Sequence, residues 1–272
     1  MNRSLTYRRY LESLRKKITS RVALLRRLAG SGWGAGATTL RTGTLALVHS
    51  TAEYCAPVWC RSAHTHLVDP TINDVLRIVT GCLRPIPADN LPILAGIQPA
   101  GLRRIGATLS LARRAMEPGH LLHSALTRPS SANARRLKWR HPFIPPAQQL
   151  ISSSDNNILA AHWADHQWNE EWKDSPTRPH FDPRHRHPPP GMTLPRRAWV
   201  RLNRLRIGVG RFPSCLYKWG MVSSAACECG AEKQTVDHVV VLHCPIHRPP
   251  HGLHGLTVLD DETIEWLLNI CP

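Results

Sequence analysis

Within the segment CECGAEKQTVDHVVVLHC, Cys227 and Cys229 are followed by His238 and Cys244, a C-x-C-x8-H-x5-C pattern. Three thiols and an imidazole in so short a stretch are the ligand set of a closed, tetrahedral structural zinc site. Gly230 lets the backbone turn sharply beside the first pair. The run from Val236 to Val239 predicts a short helix or strand that presents His238, and six residues later Cys244, toward Cys227 and Cys229. The competing reading is four free side chains in a reduced protein, because the first two cysteines are separated by one residue where two to four are commoner. His243 and His247 are substitute ligands. A bound zinc would supply much of the stability of a segment too small to build its own core.

The remaining combinations do not assemble into a catalytic site. Asp260, Asp261 and Glu262 precede Ile264, Trp266, Leu267 and Leu268 at helical spacing, so they read as the cap and first turn of a closing helix rather than as a metal-binding carboxylate pair. Asp165, Glu170, Glu171, Asp174 and Asp182 belong to a helix face and a loop. His180, His185 and His187 lie among prolines and arginines and read as a solvated loop. The glycine-rich GSGWGAG (30–36) follows a helix and lacks the Lys-Ser/Thr of a phosphate-binding loop, so it reads as a hinge. No catalytic residue and no small-molecule substrate are assigned.

The charge is more informative. The 272 residues carry 35 Lys+Arg against 19 Asp+Glu, a net charge of +16. An excess of that size creates a long-range attraction for polyanions, nucleic acid before anionic membrane. The basic residues cluster as Arg103-Arg104, Arg113-Arg114, the run Arg135, Arg136, Lys138 and Arg140 beside Trp139, and Arg197, Arg201, Arg204 and Arg206. Arginines next to aromatic rings can hold phosphates and stack on bases. A solvated charged face is the plainer alternative. RNA or DNA is therefore the expected partner, through Arg103, Arg104, Arg113, Arg114, Arg197, Arg201, Arg204 and Arg206. No membrane role is expected, since the longest apolar stretch, Leu45 to Trp59, is interrupted by His49 and Glu53.

These groups are to be positioned by a mainly α fold. Residues 1–126 read as a small helical bundle. Its first helix carries Leu11, Leu14, Ile18, Val22, Leu25 and Leu28 on one face and basic residues on the other. Nine Lys/Arg against the single Glu12 in residues 1–28 also admit a transit peptide, whereas an apolar signal sequence is excluded and a reducing compartment follows for the eight cysteines. A second helix starts at Thr38 or Thr39, turns Leu40, Thr44, Leu47 and Val48 inward and stops before Pro57. A third has Asp69 as N-cap, Pro70 in its first turn, Ile72, Val75, Leu76 and Val79 as its buried stripe and Gly81 as terminator. A fourth runs from about Ala100 to Glu117. Residues 127–195 form an irregular, Pro- and Arg-rich linker with a short helix near 155–173; 196–272 form an Arg-rich helix (Trp199, Leu202, Leu205), the Cys/His unit and a last helix ending near Cys271.

Residues 33–104, with their AEYCAPVW (52–59) and TGCLRP-to-LAGIQP (80–99) blocks, resemble the region just downstream of the polymerase palm in reverse transcriptases of LINE-type, jockey-like non-LTR retrotransposons. RLNRLRIGVGRFPSCLYKWG (201–220) with the Cys/His cluster is similar to the zinc-knuckle-like tail of those proteins, so the resemblance covers about two thirds of the chain. It implies a helical thumb that grips template and primer, followed by a nucleic-acid-binding tail whose ligands match Cys227, Cys229, His238 and Cys244 by position. The chain departs from the family in starting after the palm, with no aromatic-x-Asp-Asp motif, fingers or endonuclease domain. The expectation is a truncated, non-catalytic fragment of an RNA-directed DNA polymerase, nuclear and/or cytoplasmic, retaining structural zinc and RNA or DNA binding. The alternative is a stand-alone zinc-dependent protein-interaction module.

Overall fold

The computed structural model describes residues 7–30, 33–127, 144–153, 189–242 and 244–269, with His166 and Trp168. The helix expected near 155–173, the basic run 135–140 and most of the 127–195 linker lie outside the described residues, as do His243 and Cys271. Among the described residues the protein is mainly helical, and the sole strand-like feature is an isolated bridge between Ala29 and Gly34. No helix there is long and apolar enough to cross a membrane.

The helices are α1 (Arg8–Leu28), α2 (Ala37–Gly43), α3 (Ser50–Ala52), α4 (Ala56–Trp59), α5 (Asp69–Thr80), α6 (Asn90–Ala95), α7 (Ala100–Arg114), α8 (His123–Thr127), α9 (Ile144–Ser153), α10 (Arg196–Ile207), α11 (Pro213–Lys218), α12 (Val236–Val240), α13 (Gly252–Val258) and α14 (Asp261–Asn269). They form two compact units, each drawn from three separate stretches of chain. The first comprises 1–21, 47–72 and 98–175; the second comprises 22–46, 73–97 and 176–272. In the second unit α10 joins residues more than a hundred positions upstream to others downstream of it.

Local signals account for most helix limits. The stripe Leu11, Leu14, Ile18, Val22 and Leu25 of α1 is buried, while Leu28, in the last turn, is 54% exposed. In α5 the predicted Ile72, Val75, Leu76 and Val79 are all buried. Gly81 ends it at φ +72°, and a Cβ there would overlap the Val200 side chain as well as strain the backbone. Asp69 is the first helical residue rather than a side-chain cap, because its carboxylate is taken by Arg104. α7 stops at Arg114, one turn short of the expected end. At the closing helix, Thr263 N–H donates to Asp260 Oδ1 at 2.8 Å, the cap the acidic run predicts.

One stretch departs from ideal periodicity. After α2 the chain winds as a π-turn over Thr44–His49. The wider i→i+5 turn rotates everything that follows. Thr44 and Val48 are buried as expected, but Leu47 is 40% exposed, and His49 is buried in its place. Helical winding resumes through α3, and Cys55, left-handed at φ +54°, starts α4 with Pro57 in its first turn.

In the first unit, Arg104 forks onto Asp69, Nη1 to Oδ1 at 2.6 Å and Nη2 to Oδ2 at 3.3 Å, and lies 5.7 Å from the Trp59 ring centroid. Arg103 binds Glu53 through Nε and Nη2, and His49 Nδ1 is 3.0 Å from the same carboxylate. Ala112, Ala115, Leu126 and Ala147 form a small core that joins α7, α8 and α9.

The second unit is organised by α10. Ala198, Leu202 and Leu205 enter a core with Phe212, Val236, Val239, Val240, Leu256, Trp266 and Leu267. Trp199 packs with Ala37 and Met192. Arg196, buried, donates from Nη1 to Val79 O (2.6 Å), from Nη2 to Ile78 O (2.5 Å) and from Nε to Gly30 O (3.1 Å). Trp199 Nε1 reaches Val79 O at 3.0 Å, and Asn203 Nδ2 reaches Thr80 O at 3.0 Å.

Two outcomes follow for stability. Arg196→Ala takes a hydrogen bond from each of three carbonyls, of which Val79 O keeps Trp199 Nε1, and is expected to cost about 3 kcal/mol, read as a lower urea midpoint. Burial opposes ionisation of Glu53, but hydrogen bonds from His49 and Arg103 outweigh it and hold the carboxyl at about 2, below its ordinary 4.5. A depressed folded-state pKa contributes stability above pH 4.5 that is lost as the pH falls toward 2. The wild type should therefore lose on the order of 2 kcal/mol more than Glu53→Gln across that window.

Candidate metal centre

The residues 225–244 build a compact knuckle. Gln234 N–H donates to Ala225 O at 2.8 Å and Cys227 N–H to Ala231 O at 2.9 Å, drawing the chain back on itself. Gly230 N–H closes the turn on Cys227 O at 3.0 Å, with φ +92° that a side chain would strain. Thr235 then caps α12, its Oγ1 accepting from His238 N–H at 3.1 Å. Val236, Val239 and Val240 are buried in the core, which sets the rotation of α12 and so the direction of His238. Past the helix, Cys244 N–H donates back to His238 O at 3.1 Å.

The result is a four-sided donor set. The ligand atoms of Cys227, Cys229, His238 and Cys244 all lie within 4.8 Å of one another. Cys227 Sγ and Cys244 Sγ are 3.7 Å apart; Cys229 Sγ and His238 Nε2 are 3.1 Å apart. A tetrahedral ion with bonds of ~2.3 Å to sulfur needs neighbouring sulfurs ~3.8 Å apart. The first distance matches, and the second needs a small opening. A sulfur separation of 3.7 Å is no disulfide, and all four side chains are close enough together to hold a metal ion, compatible with zinc.

The electrostatics suit a thiolate. Burial pushes the Cys227 thiol up, but the Cys229 backbone N–H, the Gln234 amide at 3.4 Å and the neighbouring thiols stabilise its anion and bring it down to about 6. Cys227 and Cys244 are buried, while Cys229 and His238 are half-buried. His247 stands outside the set, with Nε2 3.4 Å from Glu228 Oε2.

The eight arginines named as phosphate contacts are dispersed. Arg104 and Arg206 are buried and engaged within the fold: Arg104 on Asp69, and Arg206 on Pro190 O at 2.9 Å, on Asn203 Oδ1 at 3.3 Å and over the Trp199 ring. Arg103 is half-buried on Glu53. Arg201 is half-buried and donates to Leu267 O and Leu268 O. Arg113 and Arg204 are half-buried; Arg114 and Arg197 are exposed. The larger exposed basic surface is on α1, where Arg8, Arg9, Arg15, Lys16, Lys17, Arg26 and Arg27 all face solvent. Its signal in the sequence is the amphipathic pattern itself, with one acid among eight bases over Arg8–Leu28.

Cobalt titration checks the metal set. One equivalent of Co2+ is expected to give the thiolate charge-transfer and intense visible bands of a tetrahedral site, displaced by Zn2+. Cys227→Ser and Cys244→Ser should weaken uptake by at least ~10-fold and lower the melting temperature of the metal-loaded protein. No family model, curated protein or solved structure matches this chain.

Proposed function

We propose that the chain is a zinc-stabilised nucleic-acid-binding protein, serving as the thumb and tail of a non-LTR retrotransposon reverse transcriptase without itself polymerising. The observation that carries the reading is α1: a solvent-facing row of seven cations accompanied by the single acid Glu12. That density of unneutralised charge is more than solubility needs, and it matches what phosphate backbones attract. Arg8 is paired with Glu12 at 3.0 Å, an exposed contact that water screens.

The metal has a structural part in this reading. Zinc at Cys227, Cys229, His238 and Cys244 would clamp the knuckle to α12 and add its binding energy to folding. The thumb likeness rests on the sequence blocks at 52–59 and 80–99 and on the helical character of the segments that contain them. RNA and DNA are both admitted as ligands, because a phosphate contact does not read the 2′-hydroxyl that separates them.

Fluorescence anisotropy with labelled RNA and DNA across a salt series tests the reading. Binding should weaken with salt along a log–log slope of roughly −3 or steeper, as for several phosphate contacts. Replacing Arg15, Lys16, Arg26 and Arg27 together by Gln should flatten that slope by about 2 or more. Absence of binding at low salt, or an affinity independent of salt, would exclude the proposal and favour a protein-interaction module.

A further inference from the structure

Beside the charged row of α1 lies a cavity of about 320 Å3, lined on one side by Tyr10, Ser13, Lys17 and Arg21 and on the other by Ser50, Thr51 and Tyr54. Its volume is at the small end of ligand sites, enough for one nucleotide rather than several. No acidic residue lines it among the described residues. Glu53, next to Tyr54, is turned to Arg103 and His49 and so leaves the local charge positive.

The chemistry of the lining is mixed in a particular way. Lys17 is exposed and makes no ion pair among the described residues. Arg21 Nη1 is anchored by Leu47 O at 2.7 Å and by Thr51 Oγ1, which fixes a second cation in the wall. Two phenol rings complete it, Tyr10 at 38% and Tyr54 at 70% exposure. Tyr54 is held by its backbone: its carbonyl accepts from Tyr10 Oη at 3.3 Å and from Trp59 Nε1 at 3.1 Å, and left-handed Cys55 follows. The ring is thus exposed on a fixed backbone, ready to stack without ordering the loop. Burial, then Cys55 and Tyr54, push the Tyr10 phenol up, so it stays protonated and adds no negative charge.

We infer that this cavity, between α1 and Thr51–Tyr54, binds one nucleotide of a single nucleic-acid strand, its base stacked on Tyr54 and its phosphate on Lys17. Aromatic rings beside cations are the means by which proteins hold unpaired bases without reading their sequence. An anion alone would use the cations and leave the exposed rings unused. The inference rests on the nucleic-acid reading above, and goes beyond it by naming the strand form and the seat.

The test uses the full chain and fluorescein-labelled decauridylate in low salt, with thermal melts to confirm that each variant is folded. Tyr54→Ala is expected to weaken binding roughly 10-fold and Tyr54→Phe, which keeps the ring, by no more than about 2-fold. Lys17→Ala should reduce the magnitude of the salt slope by about 0.7, the share of one phosphate on a single strand. Leu121→Ala, which truncates an exposed side chain outside the cavity and outside the basic surface, is the control for Tyr54. If Tyr54→Ala matches Leu121→Ala and Tyr54→Phe matches both, the cavity is not the seat, while nucleic-acid binding by the chain stands. If the wild type binds no oligonucleotide, the nucleic-acid reading and this inference fall together.

Discussion

The second unit hangs on the guanidinium of Arg196. The last carbonyls of a helix have no partner within it and carry the negative end of its dipole. Arg196 meets two of them, Ile78 O and Val79 O, and a third carbonyl at Gly30. With Trp199 on Val79 O and Asn203 on Thr80 O, α10 is bound along its length to the end of α5. The other side of α10 is then free to supply Ala198, Leu202 and Leu205 to the core that holds α12. The orientation of His238 therefore traces back, through α12 and that core, to an arginine 42 residues upstream.

Such an arrangement places charge where solvent is scarce. Burial pushes Arg196 and Arg206 down to about 10, which still leaves both cationic at neutral pH. Arg196 is satisfied by carbonyl dipoles, Arg206 by a carbonyl, an amide oxygen and an indole face, so these cations are matched by partial charges. In the first unit the opposite device operates, with Arg103 and Arg104 paired to whole carboxylates. Both devices remove arginines from the surface without removing their charge from the net balance. The long-range field still sums to an excess of cations, and among the described residues α1 carries the densest group of exposed ones.

The metal set and the basic surface have different physical demands. The donor set needs a rigid frame, which Thr235, the 227–231 turn and the valines of α12 provide. A phosphate-binding surface needs mobile cations in water, which long side chains on an exposed helix face supply. The cavity at Tyr54 combines the two, a fixed backbone with an exposed ring and an exposed lysine.

What the sequence determined by itself is what neighbours along the chain control. Asp69 to Gly81 carries its helix limits and its buried stripe in local spacing; Asp260 caps the last helix within three residues; the four metal donors lie within eighteen residues of each other. The tertiary structure decided the rest. Whether an arginine in RRAWVRLNRLRI faces water or a carbonyl depends on Ile78 and Val79 for Arg196, on Leu267 and Leu268 for Arg201 and on Pro190 for Arg206, none of which the local pattern of α10 contains. The exposure of Leu47 depends on a π-turn that no period of 3.6 anticipates. Each unit gathers stretches that are far apart in the sequence, because burial of apolar surface is indifferent to chain order.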